Sequence, residues 1–177
     1  FTKTNNLYVI LIYNPKLEKI KITNKNKIFY KKVITMLFNK NKSGCFNHEY
    51  PNDHIMNDYD FEQLFEHFFL TQYIIILVNN KCNPLSYLTI DDINDTIWTI
   101  CTNSLYRKMG YMTILLTHCL TLIKLNKLII KVNINELKMY VRKINPLAKK
   151  LLHYYGSFNF KHYKENYEYI ILKYNRI

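Results

Sequence analysis

Three short strand-like runs lie between residues 73 and 102, and they constrain the fold more than any other feature of the chain. Tyr73–Val78 (YIIILV), residues 85–90 and residues 97–102 are rich in β-branched and aromatic side chains, which favour extended structure. The segments between them contain Asn, Asp and Pro and are only long enough for turns. These runs predict an antiparallel three-stranded meander.

The periodicity of the remaining segments predicts helices and further strands around this meander. Apolar spacing predicts helices over residues 28–38, 59–69 and 110–125, and alternation or apolar runs predict strands over 7–13, 128–134, 158–162 and 167–174. A helical crossover would make the strand at 128–134 parallel to 97–102. Asn145 and Pro146 are typical of a helix start, and Gly156 of a left-handed helix stop.

This order predicts an α/β fold with a mixed, mostly antiparallel central sheet of about six to seven strands, flanked by helices. We expect a single domain over residues 1–177, in which residues 1–70 add an N-terminal strand and helices to a core at 71–177.

The net charge of +12 admits nucleic acid, an anionic membrane or a phosphorylated ligand as partner. The chain is also rich in Asn, Lys, Ile, Tyr and Phe, the residues of AT-rich codons, which accounts for much of the lysine excess without a function. Nucleic-acid binding is therefore open but not favoured. Aromatic residues interleaved with Lys and Arg on one exposed sheet face would favour it, and residues 158–174 show such interleaving.

The cysteines and the apolar runs indicate an intracellular protein without a membrane partner. The four cysteines form no CxxC pair, which fits a reducing compartment rather than a disulfide framework. No stretch of about 18 apolar residues suggests a membrane span. Cys45, His48 and His54 have irregular spacing and no obvious fourth ligand, so we predict no metal site.

The loop between residues 103 and 109 leads into the helix predicted at 110–125 and has the features of a phosphate-binding turn. Free N–H groups and the helix dipole attract anions at such a helix start. Arg107 and Lys108 add positive charge, and Gly110, one of only three glycines, permits an unusual backbone conformation.

At these residues the chain resembles the GNAT superfamily of N-acetyltransferases. The family fingerprint Arg/Gln-x-x-Gly-x-Gly/Ala reads here Arg107-Lys-Met-Gly110-Tyr-Met112. The downstream signature Asn-x-x-Ala is matched by Asn145 and Ala148, followed by Tyr155-Gly156. The resemblance covers roughly residues 72–174, and it implies that residues 71–177 form an acetyl-CoA-binding core.

The resemblance implies acetyl-CoA as cofactor and a primary amine as acceptor, in a protein, a peptide or a polyamine. The amine would attack the thioester directly, and a backbone N–H of the splayed strand would polarise the acetyl carbonyl. The implied cofactor-binding residues are Ile100, Cys101, Thr102, Arg107, Lys108, Met109, Gly110, Tyr111, Met112, Thr113, Asn145 and Ala148.

Two positions depart from the family pattern. Met112 replaces the usual Gly or Ala, and either crowds the pyrophosphate or points into the core. Leu152 occupies the position of the usual Tyr acid, so Tyr154 and Tyr155 are the candidate catalytic residues. These departures leave a catalytically inactive binding protein of the same fold as the alternative.

An acidic segment on the N-terminal side is the candidate acceptor-binding region. Residues 46–90 carry six acidic side chains and one basic side chain. Among them, Asp58, Asp60 and Glu62 would attract a cationic amine, while an ordinary solvated surface is the alternative.

Overall fold

The computed structural model describes residues 9–13, 24–37, 73–128 and 131–175. The predicted helix at 59–69 and the six acidic side chains of the segment 46–90 lie outside these residues. The described strands are β1 (Val9–Tyr13), β2 (Tyr73–Val78), β3 (Pro84–Asp91), β4 (Thr96–Thr102), β5 (Lys138–Arg142), β6 (Phe160–Glu165) and β7 (Tyr169–Tyr174). The described helices are α1 (Asn24–Leu37), α2 (Tyr111–Lys124) and α3 (Ala148–Gly156).

The described strands form one seven-stranded sheet in the order β1-β2-β3-β4-β5-β7-β6. Every neighbouring pair is antiparallel except β4 and β5, which are parallel. The sheet class and the meander β2–β3–β4 are as predicted.

The core lies where α2 packs on the sheet. Leu115, Leu116, Cys119, Leu120 and Ile123 form one buried face of α2, because residues spaced by three and four along a helix lie on the same side. All six residues of β2 are buried, which fits a central strand covered on both faces. On the face opposite α2, Val33 and Met36 of α1 are also buried. Burying a side chain such as Leu115 contributes roughly 1.5–3 kcal/mol.

The predicted strand at 128–134 is wrong. Residues 131–133 are irregular and a turn follows at 134–136, so the strand parallel to β4 begins only at Lys138. Asp95 explains the shift, since its carboxylate accepts the N–H of Asn133 at 2.6 Å and its carbonyl accepts the N–H of Lys138 at 2.8 Å. Leu128 and Val132 are buried as loop residues, and a short apolar run does not distinguish such a loop from a strand.

The predicted limits of α3 are also wrong at both ends. The helix begins at Ala148, two residues after Pro146, and Gly156 is its last residue. The left-handed residue at this end of the helix is Asn159, with φ 67°. The chain stays in tight turns through this point, because the N–H of Asn159 donates to the carbonyl of Gly156 at 3.1 Å, and Asn tolerates the left-handed region.

Candidate active site

Strands β4 and β5 separate soon after they pair. Only Thr96 with Lys138 and Ile97 with Met139 are in register. On its other side, β4 pairs Ile97 with Ile90 and then Thr99 with Thr89, so Trp98 is an extra residue in β4. Such a bulge bends and twists the strand that carries it, and it lies where β4 begins to diverge from β5.

A cavity of about 220 Å³ occupies the gap between the two strands. Its walls come from β4, β5, the α2 N-terminal turn and α3. Eight of the predicted site residues line it together: Ile100, Cys101, Thr102, Arg107, Met112, Asn145, Tyr154 and Tyr155. The cleft is therefore built from segments that are up to 58 positions apart in the chain, from Ile97 to Tyr155.

The N-terminal turn of α2 closes one end of this cleft. Gly110 precedes the helix with φ 81°, and Lys108 has φ 67°. The helical ladder begins with the N–H of Ile114, which donates to the carbonyl of Gly110 at 3.1 Å. By helix geometry, the N–H groups of Tyr111, Met112 and Thr113 have no acceptor within the helix.

The electrostatics of this turn favour an anion. No acidic residue lies in the first turn of α2, and Arg107 and Lys108 are exposed beside it. Nε of Arg107 lies 3.4 Å from the carbonyl oxygen of Thr102, to which it donates. No atom lies within 4 Å of the position that a Cβ would take at Gly110. The side chain of Met109 is 60% exposed to solvent.

Met112 points toward the sheet. Its sulfur atom lies 3.9 Å from Oγ of Ser86 on β3, and Ser86 in turn donates to the carbonyl of Cys101 at 2.7 Å. The larger side chain thus forms part of the cavity wall between α2 and β4, which leaves the backbone side of the turn open.

Helix α3 presents one face to the cavity. Leu147, Leu151, Tyr154 and Tyr155 line it, at the spacing i, i+4, i+7 and i+8 that places residues on one side of a helix. Leu152 packs against the core instead. With the helix placed from Ala148 onward, Tyr154 and Tyr155 reach the cleft. Leu152, which occupies the position of the family tyrosine, does not.

Tyr154 connects α3 with the start of α2. Its hydroxyl lies 3.1 Å from Oγ1 of Thr113, and its ring packs against Tyr155 and Phe158. Burial raises the pKa of the Tyr154 phenol, and the hydrogen bond with Thr113 offsets part of that effect. The hydroxyl is therefore held in its protonated, proton-donating form at neutral pH.

Asn145 and Ala148 form the turn that leads into α3. Oδ1 of Asn145 accepts the N–H of Leu147 at 2.9 Å, and the carbonyl of Asn145 accepts the N–H of Ala148 at 2.9 Å. Asn145 is buried although it is polar and lines the cavity, whereas Pro146 and Leu147 of the same turn are exposed.

A group of hydroxyls forms a polar wall on β4. Oγ1 of Thr99 lies 2.6 Å from Oγ1 of Thr89 and accepts the hydroxyl of Tyr87 at 3.1 Å. Thr99 lines the cavity, whereas the side chain of Tyr87 is fully buried. Among the described residues that line the cavity, none carries a carboxylate.

Cys101 corrects the expectation about the cysteines. It is buried and disulfide-bonded, while Cys82 and Cys119 are free, so its partner lies outside the described residues. The composition alone did not predict this disulfide, because cysteine spacing indicates a pairing only when the two residues are close in a recognised motif.

The acceptor-side residues Asp58, Asp60 and Glu62 lie outside the described residues. Sequence reasoning missed Trp98, Tyr140 and Arg142, which also line the cavity. Tyr140 and Arg142 were missed because the strand was predicted about ten residues too early. Leu147 and Leu151 were recognisable from their helical spacing to Tyr154 and Tyr155.

None of the helices in the described ranges is long and apolar enough to span a bilayer.

No protein-family profile and no curated protein sequence matches the chain. Solved structures do resemble it. The PaiA N-acetyltransferase from Thermoplasma acidophilum, in complex with coenzyme A, is 12% identical with a TM-score of 0.57, over 94% of this chain and 99% of that one. An acetyltransferase of the GNAT family from Desulfovibrio desulfuricans is 11% identical with a TM-score of 0.55, over 94% and 97%.

The ribosomal-protein-S18-alanine N-acetyltransferase from Escherichia coli is 13% identical with a TM-score of 0.52, over 94% of this chain and 92% of that one. At these identities the similarity concerns the backbone arrangement. The chain therefore has the fold of the GNAT superfamily of N-acetyltransferases.

Proposed function

We propose that this chain is an acetyl-CoA-dependent N-acetyltransferase that transfers the acetyl group to a primary amine by direct attack. The observation that carries the proposal is the parting of β4 from β5 after two residue pairs, with a cavity between the strands and a helix N-terminus at one end.

The α2 turn supplies what a pyrophosphate needs. The N–H groups of Met112 and Thr113 and the helix dipole favour an anion at this turn, and the exposed Arg107 and Lys108 precede it in the chain. Gly110 leaves that side open. The proposed pyrophosphate-binding residues are therefore those of the predicted fingerprint, Arg107, Lys108, Met109, Gly110, Tyr111, Met112 and Thr113.

The edge of β4 supplies what the pantetheine arm and the thioester need. The described β4–β5 pairs end at Ile97, and the pantetheine arm is proposed to lie along Ile100, Cys101 and Thr102 as an added strand would. A backbone N–H next to the Trp98 bulge would polarise the acetyl carbonyl. Asn145 and Ala148 would form the wall of the cleft opposite β4.

The transfer then requires two proton movements. The amine nitrogen bonds to the carbonyl carbon as the carbon–sulfur bond breaks, the nitrogen loses a proton and the leaving thiolate gains one. Tyr154 is the proposed acid for the thiolate, because its hydroxyl is protonated, half-buried and lines the cavity. Because the described part of the cavity wall carries no carboxylate, the amine proton is proposed to pass to water.

We propose that the acceptor is a primary amine of a protein, a peptide or a polyamine. The acidic residues Asp58, Asp60 and Glu62 would attract its positive charge. Met112 and Leu152 had suggested an inactive relative. Neither obstructs the cleft, since Met112 contacts Ser86 and Leu152 packs against the core.

Thermal unfolding with acetyl-CoA tests the proposal, with CoA and ATP as comparison ligands. A ligand at 100 times its dissociation constant stabilises the native state by about 2.7 kcal/mol, which raises Tm by roughly 5–10 °C for a chain of this size. Lys108→Ala should reduce the shift, whereas Lys127→Ala, beyond the other end of α2, should not. Absence of any shift at saturating acetyl-CoA would contradict the proposal. Acetylation of an amine panel, followed by mass spectrometry, then identifies the acceptor.

A further inference from the structure

We infer that the sheet face opposite α2 and α3, at the β4–β5–β7–β6 end, binds single-stranded nucleic acid. Met139 and Val141 point toward the helices and belong to the core. Successive residues of a strand point to opposite faces, so Lys138, Tyr140 and Arg142 point away from the helices. We call this surface the outer face.

Aromatic rings cross the outer face from strand to strand. The ring of Tyr140 lies 5.7 Å from that of Trp98 and 5.8 Å from that of Tyr169. Trp98 is the only tryptophan of the chain and is 49% exposed, and Tyr163 on β6 is 52% exposed. Among the described residues, the exposed aromatic side chains are these two and Tyr167, which lies in the β6–β7 turn.

Cations are placed between these rings. Lys138 and Arg142 flank Tyr140 on β5, with the Arg142 guanidinium 5.9 Å from the centre of the Tyr169 ring. On β6, Nζ of Lys164 lies 5.7 Å from the centre of the Tyr163 ring. Lys161 pairs with Lys173 of β7, which places both on the outer face. Rings that stack on bases, next to cations that contact phosphates, are the pattern of single-strand recognition.

Few carboxylates offset this charge. Residues 131–175 carry nine basic and three acidic side chains. Glu136 pairs with Lys173 at 2.9 Å and Glu165 with Lys143 at 3.3 Å. Within the described ranges, no carboxylate forms an ion pair with Lys138, Lys161 or Lys164.

The charge selects the kind of partner. A second copy that met this surface with its own outer face, or a basic peptide, would bring like charges together and be repelled. A polyanion is attracted, and unpaired bases give the exposed rings a stacking partner that a duplex does not offer. Codon bias would scatter lysine and tyrosine over all surfaces. It does not explain why the exposed rings gather on one face and its bordering turn.

The outer face is distinct from the proposed acetyl-CoA site but adjoins it. Trp98, Tyr140 and Arg142 belong to the outer face and also line the cavity. Nucleic-acid binding does not depend on acetyl transfer, so the two proposals can fail separately.

The test uses fluorescein-labelled dT and rU oligonucleotides of about 12 nucleotides, with fluorescence anisotropy at several salt concentrations. We expect saturable binding whose logarithmic salt slope is about −0.7 for each phosphate contacted. With unlabelled oligonucleotide, stacking on Trp98 should quench the emission of the single tryptophan.

Two variants of equal charge change give the control. Lys161→Glu with Lys164→Glu should weaken binding at least about tenfold and reduce the salt slope by about 1.4. Lys149→Glu with Lys150→Glu, exposed on α3, should weaken it much less. Trp98→Leu, which keeps an apolar side chain, should weaken binding about fivefold or more. The thermal unfolding midpoint of each lysine variant, measured without ligand, reports separately whether it folds.

Three results would overturn the inference. One is no binding to either oligonucleotide at about 50 mM salt. Another is an equal loss in the two lysine double variants, which would mean attraction by net charge alone. The third is concentration-dependent self-association, measured by sedimentation, that Trp98→Leu abolishes, since the outer face would then be a protein interface.

Discussion

The hydroxyl of Tyr154 lies 3.1 Å from Oγ1 of Thr113, and this contact joins the helix that borders the cleft to the helix that begins at the proposed pyrophosphate site. Both residues move together with the cavity wall, because Tyr154 also packs against Tyr155 and Phe158. The contact places a protonated hydroxyl in the cleft, where the charged side chains among the described lining residues are those of Arg107 and Arg142.

Tyr154→Phe should lower kcat about 10- to 100-fold while changing KM for acetyl-CoA little, because it removes a proton donor and keeps the ring. Thr113→Val is the matched control, since it removes the partner hydroxyl and leaves Tyr154 able to donate. Steady-state kinetics with an identified acceptor distinguish the two. Equal losses in both variants would mean that the hydrogen bond only positions the helix.

We expect that the titration of Tyr154 causes no fall in kcat below about pH 10. The active form of this group is the protonated one, and burial raises its pKa. The active form is therefore retained below the ordinary value and lost only as pH rises through the raised pKa. A loss of kcat centred between about pH 8 and 9, removed by Tyr154→Phe, would contradict this assignment.

Gly110→Ala and Gly156→Ala should change stability in opposite directions. Gly110 has φ 81°, so an alanine there should cost roughly 1 kcal/mol of strain although the space is open. Gly156 is helical, with no atom within 4 Å of its Cβ position, so alanine should stabilise by about 0.5–1 kcal/mol. Urea unfolding midpoints test both. A stabilising Gly110→Ala would argue against the left-handed turn.

Stability should fall in alkaline solution because of Cys119. Burial raises its pKa from 9.0 to about 12, so between these values the unfolded chain loses a proton that the native state keeps. The free energy of unfolding should then decline by about 1.4 kcal/mol for each pH unit in this window, and be unaffected by this group below it.

Cys119→Ala should flatten that decline, at a cost of about 1 kcal/mol at neutral pH for the lost packing. Cys82→Ser, at an exposed position, is the control and should leave the decline unchanged. A thiol reagent should label Cys82 in the native protein and Cys119 only after unfolding. Rapid labelling of Cys119 in the native state would rule out the buried thiol.

The meander and the start of α2 were predictable because their signals are local. Tyr73–Val78 is a continuous run of apolar, mostly β-branched residues, which favours a strand buried on both faces, and turn residues close to it set its limits. The turn at Gly110 was predictable for the same reason. The chain contains only three glycines, so a glycine at the start of a helix indicates a backbone conformation that other residues rarely adopt.

The position of β5 was not predictable from local signals. Residues 128–134 are more apolar than Lys138–Arg142, yet the strand forms at the latter. Asp95, about 40 positions earlier, holds the loop and the first residue of β5 by hydrogen bonds to Asn133 and Lys138. Such contacts exist only after the meander has folded.

By itself, the sequence determined the elements whose signal lies within one strand, turn or helix: the meander, α2 and the glycine turn. Only the tertiary structure decided which side chains meet. The Trp98 bulge separates β4 from β5, and the start of α3 at Ala148 brings Tyr154 and Tyr155, rather than Leu152, to the cleft. The physical reason is that strand register and helix phase are set by partners distant in the chain, and a shift of one residue turns a side chain to another face.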